Sequence, residues 1–159
     1  MIKMNNKMQL LLDKIKNCNN IEVNINKLNE LLFPKIAKVH DCFIIDNECE
    51  MNENEVKFDF IKKMFGNRTM YEIGCNEVCI NYYVESDDNL YAAQLGIIAL
   101  EAWKYRLRAE YPSDEFCIVM EVSDTNTILR FYKIREEDGL IIGSNIERNT
   151  EIAILVEII

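Results

Sequence analysis

The part of the sequence that decides the fold runs from Asp87 to Tyr111 and reads DDNLYAAQLGIIALEAWKYRLRAEY. It contains no proline, and its apolar residues recur at spacings of three and four, which is the period of an amphipathic helix. The two carboxylates at its start suit the positive end of a helix dipole, and Pro112 ends it because the residue before a proline avoids helical angles. We therefore predict a long helix over residues 87–111. Its apolar face consists of Ala92, Gly96, Ala99, Trp103 and Leu107.

Segments on both sides of this helix have the period of β-strands. Residues 116–122 and 128–134 alternate around the turn 124–126, which predicts a hairpin. Residues 152–158 are apolar on both faces, which is typical of a strand inside a sheet. Residues 42–45 form a further short, apolar strand with β-branched side chains.

Two other segments have weaker patterns. Residues 69–73 and 77–85 are interpreted as a second hairpin around Gly74-Cys75-Asn76, because the second arm alternates and the connection contains a glycine. Residues 56–65 first alternate like a strand and then follow a helical period up to Gly66. We predict a strand followed by a short helix there, and the choice between strand and helix stays open.

Two amphipathic helices are predicted at the N-terminus. The first spans residues 4–18, whose apolar residues recur at helical spacings. The second begins near Asn24 or Asn26 and stops at Pro34, because a proline inside a helix loses a hydrogen bond and clashes with the preceding turn. The sum is an α+β fold with a mainly antiparallel sheet, the helix at 87–111 packed on one face and the two N-terminal helices.

The length of 159 residues is that of a single α+β domain, 1–159, with a core large enough to be stable without disulfides or metals. No signal peptide is recognisable, and no stretch approaches the roughly 20 apolar residues of a membrane helix. The six cysteines are therefore interpreted as reduced, mostly buried thiols of a cytoplasmic protein.

The net charge of −9 is concentrated in residues 41–100, which carry −8 of it. This distribution argues against binding to nucleic acids or to membranes, because phosphate groups are bound by clustered Lys and Arg. The distribution favours a basic protein partner. The alternative is that the negative charge only keeps the protein soluble. The carboxylates are densest in the acidic loop, residues 46–59, which is our candidate partner-binding surface. Its members are Asp46, Glu48, Glu50, Glu53, Glu55 and Asp59. A solvated loop without function is the simpler interpretation.

A second charged group, the basic strip, is interpreted as helix-end charge and protection of a sheet edge. Its members are Lys104, Arg106, Arg108, Arg130, Lys133 and Arg135.

We expect no catalytic residues, no metal and no cofactor. Cys75 and Cys79 are a loose pair, whereas structural zinc usually has two tighter pairs. The run His40-Asp41-Cys42 contains a possible base and nucleophile, but neighbours on a strand point to opposite faces. The glycines match no phosphate-binding loop, and no Gly-x-Ser-x-Gly elbow is present.

In general character the chain resembles the immunity proteins of bacterial toxin systems. The features that carry the resemblance are the acidic loop, the long helix 87–111 and the hairpin 115–136; no single motif carries it. The resemblance implies a bacterial, non-enzymatic, cytoplasmic protein, a monomer or dimer, that neutralises a basic toxin domain through its acidic surface.

Two alternatives belong to other functional classes. The first is a small enzyme with a pocket between helices and sheet. The second is an adaptor subunit that pairs with a partner through its N-terminal helix. The adaptor alternative predicts that Met4, Met8 and Leu11 are exposed in the isolated chain.

Overall fold

The computed structural model describes residues 1–16, 23, 25–52, 56–142 and 146–159. The fold is α+β, as predicted. The helices are α1 (Asn6–Ile15), α2 (Ile25–Leu32), α3 (Phe58–Phe65), α4 (Arg68–Cys75) and α5 (Asn89–Glu110). The strands are β1 (Ile2–Met4), β2 (Ile36–Val39), β3 (Cys42–Ile45), β4 (Val78–Cys79), β5 (Phe116–Val122), β6 (Thr127–Lys133) and β7 (Ala153–Ile158).

Two antiparallel sheets are formed by the described residues. The larger has the strand order β1-β7-β5-β6-β4, and the smaller pairs β2 with β3. The predicted hairpin is confirmed, since β5 and β6 pair from Phe116↔Lys133 to Val122↔Thr127. The prediction that the last strand lies inside the sheet is also confirmed, because β7 lies between β1 and β5. The strand at 42–45 is β3, and its partner β2 was not predicted.

Helix α5 packs on one face of the larger sheet, and its predicted apolar face is buried. Asp88 caps the helix, because its side chain accepts from the backbone N–H of Leu90 at 2.9 Å. The indole N–H of Trp103 donates to the carbonyl oxygen of Leu31 at 2.6 Å, which ties α5 to α2. The ring of Trp103 also meets Phe131 of β6 edge to face, with centroids 5.7 Å apart. This helix therefore holds the sheet and α2 together.

Gly96 lies where α5 closely approaches the sheet. A Cβ atom there would lie 2.9 Å from Cε of Met120 and 3.1 Å from Cγ2 of Thr127. Thr127 is fully buried and its hydroxyl is bonded to Asn89, so its methyl group has little freedom to move.

Replacement of Gly96 by alanine is expected to lower the free energy of unfolding by about 1 kcal/mol, because overpacking outweighs the gain in helix propensity. Gly74 in α4 is the matched control, since an added Cβ there would meet nothing closer than 3.4 Å. Gly74→Ala is expected to raise the free energy of unfolding by about 0.5 kcal/mol. Urea denaturation of both variants measures the difference, and a stabilising Gly96→Ala would contradict the close approach.

The hairpin predicted over residues 69–85 is wrong, because its first arm is helix α4. Of the second arm, only β4 pairs with β6. Asn67 caps α4, since its side chain accepts from the backbone N–H of Met70 at 2.8 Å. The face that α4 buries includes the polar Thr69 and Glu72, so an apolar period does not reveal this helix.

Residues 58–65 are helical, and the strand predicted at the start of segment 56–65 is wrong. Phe60, which the strand pattern would place with its apolar neighbours, is 57% exposed on α3. The predicted end of the helix is confirmed, because Gly66 follows α3 with a φ of 85°, which glycine adopts without steric cost.

The two predicted N-terminal helices are confirmed as α1 and α2, with one change at the start of the first. Met4 belongs to β1, and Asn5 caps α1 by accepting from the backbone N–H of Met8 at 3.0 Å. The predicted end at Cys18 lies outside the described residues. None of the helices in the described ranges is long and apolar enough to cross a membrane.

Candidate functional site

One carboxylate of the acidic loop, that of Asp46, shapes the loop itself. Its two oxygens accept from the backbone N–H groups of Glu50 and Met51, each at 3.0 Å. Such a side-chain bond to nearby backbone fixes a turn. Asp46 therefore holds the loop in place, which leaves its carboxylate less free to meet a partner.

The other described carboxylates of the loop face solvent. Glu48, Glu50 and Asp59 are exposed, and their side chains form no ion pair with another described residue. Asp59 lies in the first turn of α3, so the loop and the helix carry these charges separately. Glu53 and Glu55 lie outside the described residues.

Lys104 and Arg106 of the basic strip both have internal partners. Nζ of Lys104 lies 3.0 Å from Oε1 of Glu157, a side chain that is buried on β7. Arg106 donates to a carboxylate oxygen of Glu110 at 2.6 Å and to the carbonyl oxygen of Pro34. These two side chains therefore attach α5 to β7 and to the segment after α2. The interpretation of Lys104 and Arg106 as helix-end charge is therefore incomplete, because both side chains also bind groups outside α5.

The most deeply buried ion pair of the described residues, Glu72 with Arg135, was not predicted from the sequence. Glu72 is 0% exposed and Arg135 is 6% exposed. The two carboxylate oxygens accept from Nη1 and Nη2 of Arg135, both at 2.9 Å, which is a bidentate pair. The same oxygens accept from the backbone N–H of Phe43 at 2.8 Å and of Lys133 at 2.9 Å. Burial raises the pKa of Glu72, and Arg135 opposes this rise.

Asn76, one turn further along the chain, repeats this bridging arrangement. Its Oδ1 accepts from the N–H of Ile45 at 2.8 Å, and its Nδ2 donates to the carbonyl oxygens of Phe43 and Phe131 at 2.7 Å and 3.1 Å. Glu72 and Asn76 therefore connect β3 of the small sheet to β6 of the large sheet with side-chain hydrogen bonds. Glu72 and Asn76 are four residues apart, which is a helical spacing, so this polar pair is the feature of the sequence from which α4 could have been predicted.

The turn between β2 and β3 is formed by His40 and Asp41, whose φ angles of 49° and 64° are both positive. Nε of Arg68 donates to the carbonyl oxygen of His40 at 2.9 Å, and Nη2 of Arg135 donates to that of Asp41 at 2.6 Å. Burial alone would raise the pKa of Asp41, but the pairing with Lys133 and Arg135 outweighs it and lowers the pKa. Cations therefore clamp this turn against α4 and β6.

Two of the described cysteines, Cys42 and Cys117, are buried. Burial raises the pKa of both Cys42 and Cys117 to about 11, so these thiols are protonated at neutral pH and weakly nucleophilic. Cys75 ends α4 and Cys79 lies in β4. Across the ranges that the structure describes, no group of three or more His, Cys, Asp and Glu side chains could hold a metal ion.

Comparisons with known proteins place the chain in a family without giving it a function. No curated protein matches the sequence, and no solved structure matches it. One family model matches residues 3–159. On that match, which covers nearly the whole chain, the protein belongs to the uncharacterized protein PM0498 family.

Proposed function

We propose that the protein is a cytoplasmic, non-enzymatic immunity protein, which neutralises a basic bacterial toxin domain through its acidic loop. The observation that carries the proposal is the exposure of Glu48, Glu50 and Asp59 without an internal ion-pair partner in the described part of the chain. Unpaired surface carboxylates attract a basic partner and orient it during docking.

The backbone of the loop also supports the proposal. The carboxylate of Asp46 accepts from the backbone N–H groups of Glu50 and Met51, which fixes the main chain shortly after Glu48. A loop that is already ordered loses less conformational entropy when a partner binds. The side chains of Glu48 and Glu50 are therefore presented by a backbone whose shape is set before binding.

The adaptor alternative requires an exposed apolar surface on the N-terminal helix, and the residues predicted to form it are buried or half-buried. Met8 is fully buried, and Met4 and Leu11 pack against the main core. An enzyme that used Cys42 or Cys117 as its nucleophile is disfavoured, because burial raises the pKa of both thiols.

The decisive experiment removes the charge of the acidic loop and keeps its shape. A variant with Glu48, Glu50, Glu53 and Glu55 all changed to Gln, and with Asp46 retained, is expected to bind its basic toxin domain about tenfold more slowly at low salt. The difference should shrink as salt screens the charges. Stopped-flow association at several salt concentrations measures both effects, and co-expression with the toxin domain measures protection.

The matched control removes the same number of charges elsewhere. Glu30, Glu85, Glu115 and Glu147 are exposed, and changing all four to Gln is expected to leave the association rate within about twofold, because their side chains lie outside the acidic loop. Equal rates for the two variants would show that only net charge matters. A loop variant that binds as fast as the wild type would remove the acidic loop from the interface.

A further inference from the structure

A surface pocket of about 270 Å³ opens between α3, the start of α4 and the turn after β6. Two cations, Lys62 and Arg68, line it from the helices. Two carboxylates, Glu137 and Asp138, line it from the turn. The pocket therefore has one basic wall and one acidic wall. Its other lining residues are Phe58, Gly66 and Asn67.

Two of these four charges have no partner in the described ranges of the chain. The exposed side chains of Lys62 and Glu137 form no hydrogen bond or ion pair there, either with each other or with a third group. Opposite charges that face one cavity without pairing leave room for a ligand between them. Both remain available to a ligand that carries one charge of each sign.

The other two charges are held in position by neighbouring groups. Nε of Arg68 donates to the carbonyl oxygen of His40 at 2.9 Å, and its guanidinium lies 4.2 Å from the centroid of the Phe58 ring. Oδ1 of Asp138 accepts from Nδ2 of Asn67 at 3.0 Å. Each wall thus combines one fixed charge with one free charge.

The fixed carboxylate is also connected to the buried ion pair. Oδ2 of Asp138 accepts from the hydroxyl of Thr69 at 2.6 Å, and Thr69 is fully buried. The Thr69 hydroxyl accepts in turn from Nη1 of Arg135, which pairs with Glu72. A group positioned by buried neighbours loses little further entropy on binding a ligand.

We propose that this pocket binds a zwitterion of amino-acid size, with the ligand carboxylate at Lys62 and Arg68 and the ligand ammonium at Glu137 and Asp138. A guanidinium and a carboxylate form strong, directional hydrogen bonds. A ligand with only negative charge would be repelled by the acidic wall, and one with only positive charge by the basic wall. The volume of about 270 Å³ lies just below the usual range of about 300–1,000 Å³ for ligand pockets, which suits a small metabolite.

The test is a titration of the ¹⁵N-labelled full chain with each proteinogenic L-amino acid and with glycylglycine. Binding is monitored through the amide chemical shifts of Gly66, Asn67 and Arg68. Saturable shifts with at least one of these probes are expected. The N-acetyl and the carboxamide derivatives of that probe should each bind about tenfold more weakly, since each lacks one charge. Comparison of the amino acids with glycylglycine distinguishes a free amino acid from a peptide.

Matched variants locate the binding. Lys62→Gln and Glu137→Gln should each weaken binding about tenfold. Lys63→Gln and Glu136→Gln change the exposed neighbouring residues, which do not line the pocket, and should leave binding unchanged. The proposal is overturned if no probe gives saturable shifts, if both blocked derivatives bind as well as the zwitterion, or if the control variants weaken binding equally. Binding to a toxin domain is a separate measurement, so either proposal can fail alone.

Discussion

Replacement of Glu72 by alanine is expected to lower the free energy of unfolding by about 3–5 kcal/mol, the usual cost of breaking a buried ion pair. The change leaves the guanidinium of Arg135 buried without its bidentate partner. It also leaves the backbone N–H groups of Phe43 and Lys133 without an acceptor, and a buried unpaired donor is costly. Chemical denaturation measures the total effect, and hydrogen exchange at the two amides should show where the fold opens.

Two further variants separate charge from shape at this position. Glu72→Gln keeps an acceptor oxygen but loses the charge, so its cost should lie between those of the wild type and Glu72→Ala. Glu77 is the matched surface control, because its carboxylate pairs with Arg130 at 3.3 Å while its side chain is 47% exposed. Glu77→Ala should cost less than about 1 kcal/mol. A similar small cost for Glu72→Ala would mean that the bridge between the sheets contributes little to stability.

Replacement of Trp103 by alanine is the second change with a large expected effect, about 3–5 kcal/mol of unfolding free energy. The side chain is 2% exposed, so its removal leaves a large cavity between α5, α2 and the sheet. Trp103→Phe keeps much of the apolar volume but loses the donor to the carbonyl oxygen of Leu31. It should therefore cost less than the alanine variant, and thermal or urea denaturation ranks the two.

Tyr105 is the control on the same helix, since it is 68% exposed. Tyr105→Ala should change the free energy of unfolding by less than about 0.5 kcal/mol, as is usual for a surface position. If the Trp103 and Tyr105 variants were equally stable, the face on which α5 packs would be assigned wrongly.

In the acidic loop, the charge pattern of the sequence shows which residues are acidic but not what each carboxylate contacts. The pattern marks six carboxylates as one group, but the geometry gives Asp46 a separate role, because its oxygens accept from the backbone N–H groups of Glu50 and Met51. The members of the basic strip also have separate roles. Lys104 pairs with the carboxylate of Glu157, which lies 53 positions further along the sequence. Sequence spacing alone does not show such partners.

By itself, the sequence determined the elements whose apolar residues repeat with a clear period. These are α5 with its buried face, the β5–β6 hairpin and the interior strand β7. Their patterns are reliable because one face, or both, must be removed from water wherever the rest of the chain lies.

Only the tertiary structure decided the type of those elements whose buried faces carry polar side chains. Helix α4 buries Glu72, and the residue that caps its C-terminus, Asn76, is also buried. Their hydrogen bonds are made with β3 and β6 and with Arg135. Asp138, which lines the pocket, is connected to Glu72 through Thr69 and Arg135. A polar side chain is stable in a core only when its partners are present, and those partners lie tens of residues away along the chain. The physical reason is that apolar burial needs no particular partner, whereas a buried hydrogen bond does.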